Sequence, residues 1–210
     1  MAAGASDAAA SYDREELGRV GAFSDGVFAI AITLLVLNLR VPQVPGSDLG
    51  HALRNLGDDF TAYAIGFAVM GRFWYGHHKM FSRLARSDVR LVTSNLALLA
   101  AIALMPFTTA LIGSYNEPVA VAAYAVNVAV AAILDGVTEL VAARDGLFEH
   151  QPGALEQARR AMTGAVASAA LFILSIPVAY LVAPRAALWS WLLLIPLGRL
   201  LARRGRTAAA

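Results

Sequence analysis

The sequence predicts an all-α membrane protein, on three observations. Hydrophobic residues fill 58% of the 210 positions and charged residues only 15%, where soluble domains carry about a quarter. The apolar residues gather into long runs, several near the roughly 20 residues that cross ~30 Å of hydrocarbon. Basic residues collect at alternate ends of these runs, the asymmetry that orients a membrane protein. The 17 basic residues barely exceed the 15 acidic ones, so no nucleic-acid partner is expected. With no cysteine in the chain, disulfides, thiolate metal sites and cysteine nucleophiles are excluded.

Six spans are expected, at 20–39, 53–75, 89–112, 118–142, 162–182 and a short sixth at 186–201. Pro118 suits the first turn of the fourth, where the missing N–H costs nothing. Pro106, Pro177 and Pro196 fall inside spans, where neighbouring helices tolerate a kink. Residues 1–12 have no basic start and read as a flexible tail, not a signal peptide. Asp13 and Glu16 have the spacing of a capping pair heading the first helix. One six-span transmembrane domain is therefore expected over 13–206, with a short tail at 207–210.

Orientation follows from the basic residues. With the N-terminus inside, the inner segments hold Arg14 and Arg19, then Lys79, Arg83, Arg86 and Arg90, then Arg144, Arg159 and Arg160, and finally Arg199, Arg203, Arg204 and Arg206. The outer segments hold only Arg40, Arg54 and Arg185. This bias predicts a multi-pass protein of the cell membrane with both termini cytoplasmic.

Within "RVGAFSDGVFAIAITLLVLNLR", Ser24 and Asp25 lie inside the first span. A carboxylate at bilayer depth is costly and marks a functional or structural site facing protein or water. The topology brings Ser24 and Asp25 to the depth of Asn95 in the third span and of the "RFWYGHHKMF" end of the second. Asp25, Ser24, His77 and Asn95 would satisfy one another there, as buried polar groups require. The alternative is that Trp74, His77 and His78 are interfacial anchors. Arg19 falls on another side from Asp25, so its expected partner is an adjacent helix or a lipid phosphate.

Ile30, Leu34 and Leu37 form one aliphatic stripe on this helix, flanked by Thr33 and about 150° from Asp25. Such a stripe ordinarily contacts lipid or another helix.

Arg19-x-x-x-Phe23-Ser24-Asp25, followed by "GVFAIAITLLVL", resembles the signature of the endosomal and lysosomal potassium-channel family and its prokaryotic relatives. The likeness extends to the aromatic and His end of the second span and to "SNLALLAAIALMPF" in the third. The second half of the chain follows it in hydropathy alone. The resemblance implies a potassium-permeable channel assembled as a homotetramer of single-repeat subunits, with first helices lining the pore. It maps the narrowest ring to Ile30, further aliphatic layers to Leu34 and Leu37, and a hydroxyl layer to Thr33. It assigns Arg19, Phe23, Ser24, Asp25, Trp74, His77 and Asn95 to a motif and inter-helix network that holds the pore helix. Potassium and other monovalent cations are then the cargo and the bilayer the surroundings, with no cofactor and no metal site.

A hydrophobic ring closes a pore by dewetting and rejects ions only through their dehydration cost. The competing function is a proton- or cation-coupled transporter using Asp25 and His77 as carriers. Paired broken helices in its two halves would be expected of it, and the sequence shows none. An enzyme is not expected: Asp135 and Glu139 form an i, i+4 pair in the fourth span with no His or Cys nearby, and read as a vestibule charge or an interhelical contact.

Overall fold

The computed structural model describes residues 2–148 and 151–191, with side chains from Ser11 onward. Helix α1, Ala2–Leu34, runs directly into a tighter 3₁₀ turn, Leu35–Asn38. Its backbone is helical from Ala2, so the stretch expected as a tail belongs to the helix and Asp13 and Glu16 cap nothing. Alanine, the strongest helix former, dominates that stretch.

A short α2, Leu49–Asn55, precedes α3, Gly57–Phe81. The expected span at 53–75 is thus cut at Leu56 and runs further at its other end. Asp58 and Asp59 lie in the first turn of α3, where carboxylates favour the positive end of the helix dipole. Helix α4, Val89–Ser114, is capped by Asp88, whose carboxylate accepts the Leu91 N–H at 2.7 Å; this satisfies one of the orphan donors at the helix start. Helix α5, Pro118–Arg144, opens on its proline, and α6, Ala154–Leu181, begins well ahead of the expected 162. Helix α7, Pro184–Ser190, follows, and most of the sixth span expected at 186–201 lies outside the described residues.

Four of the described segments are long and apolar enough to cross a membrane by length and composition: Ser11–Asn38, α4, α5 and α6. Helix α3 has the length, but Arg72 and its His77-His78-Lys79 end make it more polar. The chain is an all-helical, multi-pass membrane protein. Helix α4 packs against α1, α3 and α5, and α5 lies along α6. Their shared core includes Phe28 and Leu35, Met70, Leu98, Ile102, Tyr124, Phe172 and Trp191. Trp191 stacks on Tyr124 with ring centroids 5.0 Å apart, and its indole N–H donates to Ser175 Oγ at 2.9 Å.

Helices α3 and α4 meet closely because Gly66 has no side chain. A Cβ there would stand 2.8 Å from Thr109 Cγ2 and 2.9 Å from its Oγ1. Thr109 is buried and cannot retreat. Gly66→Ala is therefore expected to destabilise the protein by about 1–3 kcal/mol, the usual range for overpacking. Adding Thr109→Ala should restore much of the loss, as read from thermal unfolding in detergent. A Gly66→Ala protein that melts with wild type would contradict this packing.

One end of the bundle is tied by a polar latch. Arg83, just after α3, pairs with Glu139 of α5 at 2.6 Å, with the two side chains 18% and 17% exposed. Its guanidinium also lies over the Phe148 ring, 5.0 Å from the centroid. The adjoining backbone bond from Ala85 N–H to Leu147 C=O, 2.8 Å, joins the α3–α4 loop to the segment after α5. Removing one partner of a largely buried pair leaves the other charge stranded, whereas replacing both with apolar groups is often neutral. Glu139→Leu alone is expected to cost about 3 kcal/mol. The Glu139→Leu, Arg83→Met double variant should recover most of it on the same melting assay.

Candidate functional site

Helix α1 presents two distinct faces. Ser24, Phe28, Ala31 and Leu35 are buried at spacings of one helical turn, the period of a packed helix face. They turn toward α3 and α4. Ile30, Leu34 and Leu37 look outward, at 62%, 42% and 71% exposure. The change to 3₁₀ geometry after Leu34 alters the stripe from the regular α spacing expected of it. Residues three apart eclipse in a 3₁₀ turn, which sets Leu37 on the same side as Leu34. Thr33 sits among them, its hydroxyl donating to the Ile30 carbonyl at 2.9 Å.

On the buried face a chain of hydrogen bonds crosses three helices. His77 Nε2 of α3 meets Asn95 Oδ1 of α4 at 2.8 Å. The Asn95 amide donates to Ser24 Oγ at 2.9 Å, and Ser24 donates to the Val20 carbonyl at 2.8 Å. With the Asn95 amide nitrogen turned to Ser24, its oxygen faces the ring, so His77 donates from Nε2. His77 also stacks on Phe81, centroids 4.3 Å apart, and tilts against Phe28 at 5.4 Å. His77 Nδ1 is buried without a hydrogen-bond partner among the described residues, so the chain runs through Nε2 alone. Polar groups bonded in an apolar setting hold neighbours in one register. Here they fix α1 against α3 and α4.

Asp25 stands outside that chain. It is one residue on from Ser24, about 100° around the helix, and lies on the exposed side. The Trp74 indole N–H donates to its carboxylate at 2.9 Å, and Trp74 stacks on His78. The expected cluster of four is therefore two separate contacts: Ser24–Asn95–His77 inside, and Asp25–Trp74 at the surface. No hydrogen bond joins Asp25 to His77 among the described residues, the pairing a carrier built on both would use. Within the protomer Arg19 pairs with Glu15 of its own helix at 2.8 Å, both side chains being exposed. Glu15 is the residue that the sequence reading missed, though the i, i+4 spacing of Glu before Arg signals such a pair. Phe23 is exposed and takes no part in the buried chain. Glu139 of α5 pairs with Arg83, just past the end of α3, while Asp135 lines a cavity between α3, α5 and α6.

Residues 19–106, which hold the outward stripe and the buried chain, match the family model described as the endosomal/lysosomal potassium channel TMEM175. A potassium channel of Streptomyces collinus is 48% identical over 101 residues, 48% of this chain and 49% of its own length. The match thus spans about half of that relative. A potassium channel of Chamaesiphon minutus is 38% identical over 144 residues, covering 65% of this chain and 71% of that one. The crystal structure of a lysosomal potassium-selective channel TMEM175 homologue from Chamaesiphon minutus superposes with a TM-score of 0.74. It is 30% identical, over 90% of this chain and 98% of that one. Since the likeness reaches across the fold as well as the first helix, the chain belongs to the TMEM175 channel family.

Proposed function

We propose that this chain is the subunit of a potassium-permeable channel of the cell membrane, in which copies of α1 surround the pore. The observation that carries this is the outward aliphatic stripe of Ile30, Leu34 and Leu37, set opposite a face pinned by Ser24, Asn95 and His77. A single copy has one such helix and encloses nothing, so the stripe has a pore to line only in a rotationally symmetric assembly. Four copies are proposed, each with six spans and both termini cytoplasmic. Ile30 forms the narrowest ring, Thr33 a hydroxyl layer, and Leu34 and Leu37 the further aliphatic layers. A branched side chain is stiff at χ1, so four isoleucines make a ring of defined radius that dewets when narrow. The names and folds of the relatives support the potassium reading, and their family is one of ion channels, not enzymes.

The test is reconstitution in a planar bilayer with potassium on one side and sodium on the other. The expected current is passive and reverses on the side that favours potassium. Transport that requires exchange would replace the channel by a carrier. Cross-linking in detergent should run to a tetramer, and a ladder that stops at a dimer would remove the proposed stoichiometry.

A further inference from the structure

The outward stripe of α1 does not end as an α-helix. Leu35–Asn38 is a 3₁₀ turn, closed by the Leu39 N–H donating to the Val36 carbonyl, and the backbone is extended from Leu39. Hydrogen bonds in such a turn are poorer than in an α-helix, so contacts outside the turn must hold it. One lies at each end. Leu35 is fully buried and reaches α3 where Gly66 leaves room, its Cδ2 only 3.3 Å from where a Cβ on Gly66 would stand. At the other end the half-buried Asn38 donates from its side-chain amide to the Pro106 carbonyl of α4 at 3.3 Å. Pro106 lies inside α4 and brings no N–H to the helix ladder. Helix α4 is therefore loosened at the turn that receives Asn38.

We infer that Asn38 is a positioning residue for the outer end of the pore: its bond to Pro106 keeps the last turn in 3₁₀ form and so sets the height and direction of Leu37. The bond and the turn depend on each other. Side chains three apart eclipse in a 3₁₀ turn, so Asn38 stands over the buried Leu35 just as Leu37 stands over Leu34. An α-helix advances about 100° and 1.5 Å per residue, a 3₁₀ turn about 120° and 2.0 Å. Continued as an α-helix from Leu34, the chain would carry Asn38 about 80° back, off Pro106. Leu37 would turn back about 60° and sink about 1.5 Å, leaving its place over Leu34 to stand over Ile30. Asn38 faces α4, away from the stripe, and acts on the ion path only through Leu37. The inference rests on the reading that α1 lines the pore.

Asn38→Leu and Asn38→Asp remove the donor at nearly constant size. In both, the last turn is free to take α geometry, Leu37 closes on the Ile30 ring, and the dry stretch that an ion crosses thickens. Single-channel potassium conductance is expected to fall by about twofold or more. Asn38→Gln keeps an amide donor and is expected to conduct better than either. Single-channel current is read on assembled channels alone, so a packing defect that only lowers yield leaves it unmoved. Conductance at or above the wild-type value in both donor-less variants overturns the inference, as does an Asn38→Gln channel that conducts no better than they do. Leu37→Cys tells failure here from failure of the pore reading. The chain has no cysteine, so a thiol-reactive cation meets only that thiol in each subunit. Block of the current keeps Leu37 in the pore even where the Asn38 variants conduct as wild type. Current that persists after full labelling takes the outer end of α1 out of the pore and overturns both readings.

Discussion

Ile30→Asn is expected to raise single-channel conductance several-fold and to erode the preference for potassium over sodium. Ile30 is outward-facing in the protomer, so the change leaves the packed face of α1 untouched and the fold should survive. Its effect falls on the proposed ring. Four aliphatic side chains give passing ions no oxygen ligands, and water leaves such a constriction easily. Four amides would hold water there and reduce the dehydration cost that separates the two ions. Leu34→Asn and Leu37→Asn should act in the same direction but less, because the tightest ring remains. Single-channel current and bi-ionic reversal potential are the measurements. A variant with wild-type conductance and selectivity would place the constriction elsewhere on the chain.

The second large effect is expected at Asn95. It is 1% exposed and stands between His77 and Ser24, so Asn95→Ala strands the buried His77 Nε2 and leaves Ser24 with only its bond to the Val20 carbonyl. A stranded buried group costs about 1–3 kcal/mol, and the helices that position α1 would lose their common register. The protein should melt earlier and yield less assembled material on gel filtration. Asp25→Asn is the informative contrast. Its side chain still accepts from Trp74, and its site is on the protomer surface. That variant should unfold near wild type. The reverse ranking, with Asp25→Asn the more damaging, would mean that the surface contact and not the buried chain holds the pore helix.

These two expectations depend on a distinction that the sequence does not make. Ser24 and Asp25 are neighbours, and polarity alone places both at the same depth as His77 and Asn95. Only the rotation of α1 separates them. The face chosen by Phe28, Ala31 and Leu35 carries Ser24 inward and leaves Asp25 outside, to find Trp74. Composition reports how deep a residue lies in a membrane, whereas packing decides which way it turns.

The sequence by itself determined the class of the protein, because hydrocarbon admits few solutions. Long apolar runs must close their backbone hydrogen bonds internally and so become helices. For the same reason it marked the run from Pro118, the third span after Asp88, and the depth at which Ser24, His77 and Asn95 meet. Helix ends followed local chemistry less well. The helix at Ala2 and the break at Leu56 depend on propensity and dipole terms of a fraction of a kcal/mol to about one kcal/mol, too small to stand out beside hydropathy. Tertiary structure alone decided the partners: Arg83 with Glu139, Trp191 with Tyr124, and Gly66 against Thr109. Each joins residues far apart in the chain whose meeting depends on how the helices cross. That crossing is set by side-chain shape summed over whole interfaces, which the order of residues along one helix does not reveal.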